Sequence, residues 1–492
     1  MEPMSERVLL INPPAIDGIK FTRQGRCQER EEVLGTTKPP YTLVVIAALL
    51  RARGIACRVI DQTASNIPTA EVIATLDREG FRPTMILFPS TTPTLDADVL
   101  EMRVLKAHYA APMFCFGPHA STVPQLSMER APDVDGMFVG EPEDGVLALV
   151  TRGDRSSLAG IPGLTYRDAA GAIVAHTSHG SFTGFAEMPI PAWDMLNLGD
   201  YTLPLEGKPY ILIETSRGCP YTCDFCVAPI HQGHKFRERD ATRLVDEMEY
   251  AVKTLGVKHF YLWGDTVTLN AKSFGKFCDE LIARNIGARW FGNARADNLV
   301  DPAFVQKLRD SGCWMLAMGI ESESEEVRKD MVKRLEEQKV RTAFRNLRAT
   351  GIKSFAFFIY GYPGETLESM DRTTAYAIDL DADFANFYPA VPYPGTDLYD
   401  KAKREGMLVS DDWTRMEYSY YLLRFGDINE TTVMAALQRA RRRFFLRPRY
   451  IARNFGDLVK LAFTKRHIVA DVLGQFLFGN PITDARPATH RR

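Results

Sequence analysis

From Tyr210 to Thr396 the sequence alternates between short runs rich in β-branched and aromatic residues and longer segments of helical periodicity. The runs are YILIETSRG, HFYLWGDTVTLN, RWFGNARAD, MLAMGIES, FAFFIYGYPGE and FANFYPAVPYPGT, with helical patterns between them that end near Gly256, Ile286, Gly312, Gly351 and Leu380. Parallel strands need a crossover of a dozen or more residues, and these intervals supply one each time. The alternation predicts a partial (β/α)6 barrel over residues 206–400, with its chemistry at the C-terminal ends of the strands.

A second alternation precedes it. VLLIN, CRVID, MILFPS, MFCFG and GMFVG, with a helix through YTLVVIAALLRARG, predict an α/β, doubly wound, Rossmann-like domain over residues 1–150. Its strands end in Asn12-Pro13-Pro14, Ser90-Thr91-Thr92, Gly117-Pro118-His119 and Gly140-Glu141, where such sheets hold ligands. Residues 151–205, rich in Gly and Pro with hairpin-like pieces, read as a linker, and residues 401–492 as a helical region. A chain of 492 residues is long enough for several cores.

Lys and Arg number 60 against 62 Asp and Glu, so nothing global points to nucleic acid. No apolar run approaches the roughly 20 residues that cross a bilayer, and the opening residues lead directly into a strand, which predicts a cytoplasmic protein. Eight cysteines are too few for a disulfide scaffold in so long a chain, and only Cys219, Cys223 and Cys226 cluster. Cys27, Cys57, Cys115, Cys278 and Cys313 are expected as small buried hydrophobes.

The clustered cysteines form CxxxCxxC in the loop after the first barrel strand. Three thiolates can hold three irons of a cubane and leave the fourth iron open to a chelating ligand, whereas ordinary ferredoxin clusters use four. The alternative is a zinc site completed by His231 or His234.

Spacing and position together resemble the radical SAM superfamily. INPP, the helix from Pro39, FPSTTPT, GPHAS and VGEPE resemble the cobalamin-binding domain fused ahead of the barrel in its cobalamin-binding members. The resemblance implies a 4Fe–4S cluster on Cys219, Cys223 and Cys226, with S-adenosylmethionine (SAM) and cobalamin as further cofactors. It places Phe225 near the SAM adenine, Asp265 near the methionine amino group, and Asn293, Arg295 and Asp297 near its carboxylate or ribose. Glu321 and Ser322 of Gly319-Ile-Glu-Ser approach the cofactor in the same way, with a helix N-cap role as the alternative for Ser322. Gly361 and Gly364 of GYPGET allow close backbone approach to the adenine, and VPYPGT resembles the closing segment of cobalamin-type members. Ser90, Thr91, Thr92 and His119 are the candidate cobalamin contacts. The DxHxxG motif that supplies an axial histidine is absent, so cobalamin is expected with its lower face lined by loops.

The implied chemistry is reductive cleavage of SAM to a 5′-deoxyadenosyl radical, with an electron donor such as flavodoxin or ferredoxin. Methylation of an unactivated carbon on a small-molecule or lipid-like substrate is the leading expectation. Radical cyclisation or ring contraction of a porphyrin- or hopanoid-like substrate is the second, and a non-catalytic cobalamin and zinc sensor the third.

From Gln438 to His467 ten Lys and Arg face the single acid Asp457, interleaved with aromatic and aliphatic residues. This suits a helix on the inner face of an anionic membrane or against an amphiphilic substrate, and equally a helical cap on the barrel.

Overall fold

The computed structural model describes residues 6–23, 30, 37–152, 157–176, 179–203 and 206–464. Cys27 and the basic residues Lys465 and Arg466 lie outside them.

The N-terminal sheet contains β1 (Arg7–Asn12), β2 (Ala56–Asp61), β3 (Met85–Pro89), β4 (Met113–Phe116) and β5 (Gly136–Phe138), all parallel, in the order β2-β1-β3-β4-β5. β3, β4 and β5 are buried along their whole length, as expected for strands covered by helices on both faces. Helix Tyr41–Arg51 covers one face and buries nearly every residue, which is why YTLVVIAALL lacks a polar stripe.

Residues 151–205 do more than link. β6 (Leu164–Arg167) and β7 (Ile173–Val174) extend the sheet as an antiparallel hairpin on the edge of β5. Beyond them Phe182, Phe185, Trp193 and Tyr201 are buried in the core shared by both domains, and the Tyr201 hydroxyl donates to Asp61 Oδ2 at 2.8 Å. Single aromatic anchors separated by irregular backbone have neither helical nor strand period, so pattern alone reads them as a linker.

The second sheet holds β8 (Tyr210–Glu214), followed by the short β9 (Ser216–Arg217) and β10 (Arg237–Glu238), which pair with each other. It continues with β11 (His259–Trp263), β12 (Arg289–Ala294), β13 (Cys313–Glu321), β14 (Lys353–Tyr360) and β15 (Phe384–Pro389). Its order is β8-β11-β12-β13-β14-β15, every pair parallel, so all six expected strands form and their C-terminal ends share one rim.

The region after residue 400 is only partly helical. Residues 407–428 run irregularly with isolated bridges, and Trp413, Met416 and Leu422 pack into the core on the outer face of the N-terminal sheet. Helix Glu430–Phe445 then caps the barrel through Val433, Ala436, Leu437, Ala440 and Phe444. Helix Pro448–Thr464 follows. No helix among the described residues is long and apolar enough to cross a membrane.

Candidate active site

The cysteine loop starts at Gly218, whose φ of +84° and tight packing against the Lys235 carbonyl require glycine. The Cys219 amide donates to the Gly233 carbonyl at 3.1 Å, and the Cys226 amide donates to the Cys223 carbonyl at 3.1 Å. Cys219 is buried, Cys223 and Cys226 half-buried, so the loop carries its thiols at the rim. None of the described cysteines forms a disulfide, and Cys57, Cys115, Cys278 and Cys313 are buried as expected.

No three His, Cys, Asp or Glu side chains among the described residues converge on one ion. His231 is turned to the N-terminal domain, with Nδ1 2.9 Å from Ser121 Oγ, and burial lowers its pKa to about 4. The donor set therefore suits an iron–sulfur cubane better than zinc.

The rim brings most of the expected residues to this loop. Arg295, at the end of β12, lies over the Tyr221 ring at 3.8 Å, interacts electrostatically with Cys223, and pairs with Asp297 through two hydrogen bonds of 3.1 and 2.9 Å. Asn293 points along the rim and donates to the Tyr261 hydroxyl at 3.0 Å. Asp265 follows Gly264, where a Cβ would meet Ser216 Oγ at 2.7 Å and Thr215 Oγ1 at 3.1 Å beside the cysteine loop. Phe225 is half-buried and packs against the barrel core.

Glu321 ends β13 beyond a register shift between Gly319 and Glu321, at φ +70°, and Lys333 donates to it at 2.7 Å. Such a bulge re-aims a side chain at a strand end. Ser322 is not the N-cap of the next helix. That role belongs to Ser324, which accepts from Val327 N, while Ser322 Oγ accepts from Ser324 N and donates to Glu365 Oε1 at 3.3 Å.

Gly361 needs its glycine for a different reason from the one expected. At φ +73° a Cβ there would lie 2.6 Å from the Tyr421 ring, and Tyr421 donates to the Gly361 carbonyl at 2.6 Å. Gly364, at φ +97°, keeps open space, with the Asp330 carboxylate 3.8 Å away.

Ser90, Thr91, Thr92 and His119 also differ from expectation. All four are fully buried. Thr91 and Ser90 bond Thr94 within their own turn, Thr92 Oγ1 lies 3.0 Å from His119 Nδ1, and the His119 ring meets Trp413 edge-on at 4.3 Å. Burial, with Arg130 nearby, lowers the pKa of His119 to about 3, so the imidazole is neutral, and its Nε2 has no hydrogen-bond partner among the described residues. The pocket above the strand ends is lined instead by Asn12, Thr22, Arg23, Lys38, Thr63 and Phe116.

Pattern reasoning missed four groups. Lys333 occupies the rim beside Glu321. Glu365 is buried, accepts from Ser322 Oγ and from Tyr362 N, and is pushed up to about 8 by burial. The Tyr362 hydroxyl donates to Asp224 inside the cysteine loop, tying GYPGET to that loop. Arg217 is buried against Glu141 at 3.2 Å, Glu143 at 2.7 Å and Glu214 at 2.9 Å, with Arg237 also bonded to Glu141, which locks the N-terminal domain to the strand pair flanking the cysteines. Tyr362 and Glu365 lie inside GYPGET and Arg217 just before Cys219, which was their sequence signal, and Lys333 had none.

Residues 213–377 match the family profile of the radical SAM superfamily. Over 462 residues the chain is 26% identical to an uncharacterized methyltransferase of Pyrococcus horikoshii, covering 93% of this chain and 97% of that protein. Over 376 residues it is 28% identical to the anaerobic magnesium-protoporphyrin IX monomethyl ester cyclase of Rubrivivax gelatinosus, covering 74% of this chain and 66% of the cyclase. Among solved structures, the radical S-adenosylmethionine methyltransferase TsrM of Kitasatospora setae, with cobalamin and a 4Fe–4S cluster bound, superimposes with a TM-score of 0.65 at 20% identity, over 82% of this chain and 78% of that one. The cobalamin-dependent S-adenosylmethionine radical enzyme OxsB, with aqua-cobalamin and S-adenosylmethionine bound, superimposes with a TM-score of 0.71 at 16% identity, over 96% of this chain and 75% of that one. At these identities the superpositions establish a shared fold.

Proposed function

We propose that this chain, whose residues 213–377 match the radical SAM superfamily, is a cobalamin-dependent radical SAM enzyme that methylates an unactivated carbon of a small-molecule or lipid-like substrate. The observation that carries this reading is the Cys219, Cys223, Cys226 loop at the end of β8, with Arg295, Glu321 and Lys333 gathered beside it.

When bound, the cluster supplies an electron for reductive cleavage of SAM, and cobalamin supplies the methyl group. The chain's own residues have separate tasks. The three cysteines hold the cluster. The Arg295 guanidinium, 3.8 Å from the centre of the Tyr221 ring and paired with Asp297, is suited to the carboxylate of the amino-acid end of SAM. Glu321 offers a buried acceptor to hydroxyl or ammonium groups, and Gly364 leaves backbone open to an adenine. Lys38, half-buried with its ammonium 5.9 Å from the centre of the Trp263 ring, supplies a cation suited to the phosphate of a corrinoid. A flavodoxin or ferredoxin is the expected class of electron donor.

Radical cyclisation is the second reading, supported by the similarity to the anaerobic cyclase. Anaerobic reconstitution of wild type and the Cys219/Cys223/Cys226→Ala variant with iron, sulfide and hydroxocobalamin tests both. About four irons and one cobalt in wild type, with SAM cleavage absent from the variant, is the expected result. S-adenosylhomocysteine formed alongside 5′-deoxyadenosine supports methylation, and 5′-deoxyadenosine alone supports cyclisation. Iron without cobalt overturns the cobalamin part, and absence of iron overturns both readings.

A further inference from the structure

Along β12, β14 and β15 burial alternates, and the fully buried residues face the outer helices. Trp290 meets Phe274 of helix Ala271–Arg284, the Tyr360 hydroxyl lies 2.7 Å from Thr374 of helix Leu367–Asp379, and Phe387 meets Phe444 of helix Glu430–Phe445. Their sequence neighbours therefore point into the barrel. Phe291, Phe355, Phe357, Phe384 and Tyr388 are among these, and all are half-buried.

The inward rings form two groups. Tyr261 stacks on Phe291 at 4.6 Å, Trp263 meets Tyr261 edge-on at 5.3 Å, and Trp314 meets Phe291 edge-on at 5.6 Å. Phe355 meets Phe357 at 4.8 Å and Phe384 at 5.9 Å, and Phe357 meets Tyr388 at 6.1 Å. Strand β13 runs between the groups, with Ala317 level with Asn293 and Phe355 and Gly319 level with Phe357. Small residues thus floor a trough between two aromatic walls, and β13 leads along it to Glu321 and Lys333 at the rim.

This composition restricts the occupant. Interiors of (β/α) barrels are ordinarily filled by branched aliphatic side chains; here half-exposed rings leave the inner face open. The charged inward positions begin or end their strands, as Arg289, Lys353 and Glu321 do. The middle offers only the amides of Asn293 and Asn386, which donate to the Tyr261 and Tyr388 hydroxyls at 3.0 and 2.6 Å. An ionic group there would lose its hydration without a partner. Ring faces favour a flat partner, because stacked and edge-to-face contacts add to the burial of area, whereas a saturated molecule gains area alone. The trough opens at the rim that carries the cysteine loop, so its occupant meets the chemistry there.

We propose that the barrel takes an uncharged, flat, conjugated ring system as substrate, lying between Tyr261, Phe291 and Trp314 on one wall and Phe355, Phe357 and Tyr388 on the other. Its role as substrate rests on the reaction proposed above, but its binding is measurable without that reaction.

The test is calorimetric titration of the full-length, reconstituted protein with phenazine, a flat tricycle, and with cyclododecanol, a saturated ring of similar size. Phenazine is expected to bind at least about tenfold more tightly. Phe355→Leu/Phe357→Leu keeps apolar bulk and removes ring faces, so it should weaken phenazine at least about fivefold and leave cyclododecanol unchanged, with circular dichroism and iron content as in wild type. Trp314→Leu, on the opposite wall, should act in the same direction and keeps the test informative if the double variant does not fold. Equal affinity for the two probes, no binding of phenazine, or variants that bind phenazine like wild type would overturn the proposal. A protein that cleaves SAM yet shows no preference for phenazine overturns this inference alone. Preference for phenazine in a protein that takes up no iron supports the ring site and overturns the reaction instead.

Discussion

Lys333 Nζ lies 2.7 Å from Glu321 Oε1, and Gly319 makes room for the pair, since a Cβ at Gly319 would collide with Oε1 and come within 2.9 Å of Nζ. Both side chains are largely withdrawn from water. Removing one partner of such a pair costs more than the pair contributes, because it strands the other charge. Lys333→Met is therefore expected to destabilise the protein by about 3 kcal/mol, and Lys333→Met/Glu321→Gln to recover most of that loss. Urea unfolding of the two variants checks it, and equal losses would show that the pair is not the source.

The seam between the domains rests on Arg217. It faces Glu141 and Glu143 from the N-terminal domain and Glu214 from β8, and stacks near Phe182 and Phe185. Three carboxylates share two guanidiniums, Arg217 and Arg237, and burial raises Glu214 to about 7, with Glu143 and Glu141 adding to the shift and Arg217 opposing it. Arg217→Met should cost about 3–5 kcal/mol. Because Gly218 and Cys219 follow directly, it should also lower the iron retained after reconstitution. Arg217→Lys should fall between, since one ammonium cannot match the planar fork. Iron per chain and limited proteolysis at the seam measure the two effects, and full iron content in Arg217→Met would separate the seam from the cysteine loop.

Tyr421 fills the space beside Gly361 from the irregular C-terminal segment. Tyr421→Phe removes one buried hydrogen bond and should cost about 1 kcal/mol. Tyr421→Ala opens a cavity and should cost about 3–5 kcal/mol. Thermal unfolding checks both, and a silent Tyr421→Ala would mean that this segment does not hold the GYPGET turn.

The contrast between Gly361 and the six barrel strands shows what was legible in the sequence. Strands and helices are periodic, so β8 and β11 to β15 could be placed from hydrophobic pattern, and the CxxxCxxC spacing located the loop that the rim then surrounds. Contacts between distant segments leave no periodic trace. Trp413 on His119, Tyr421 on Gly361 and Tyr201 on Asp61 each join residues 60 or more positions apart through irregular backbone. For that reason a histidine after Gly117-Pro118 reads as a ligand contact, and only its burial between Thr92 and Trp413 reveals its packing. Lys333 and Glu365 escaped for a related reason. A charged residue in a loop reads as solvated until the fold buries it.

The buried carboxyl of Glu365 should leave its mark on the pH dependence of stability. Burial raises it to about 8, against the hydrogen bonds from the Tyr362 and Gly361 amides and the Ser322 hydroxyl, which pull it down. In an unfolded chain a glutamate titrates near about 4.3. Between these values the folded protein holds a proton that the unfolded chain has lost, so the stability tied to Glu365 is complete below about 4.3 and is lost as pH rises through about 8. His119 works in the opposite sense. Its pKa is lowered to about 3, so the unfolded state gains the proton first, and stability falls as pH drops from about 6.5. Glu365→Gln keeps the shape of the side chain without a titrating proton. Between pH of about 5 and about 8.5 its unfolding midpoint should decline less steeply than that of wild type, while the acid limb, to which both His119 and His231 contribute, stays unchanged. Glu214 titrates in the same window in both proteins, so the difference between the two curves isolates Glu365. Coincident curves would mean that Glu365 is already ionised in the folded protein, with its hydrogen bonds outweighing burial.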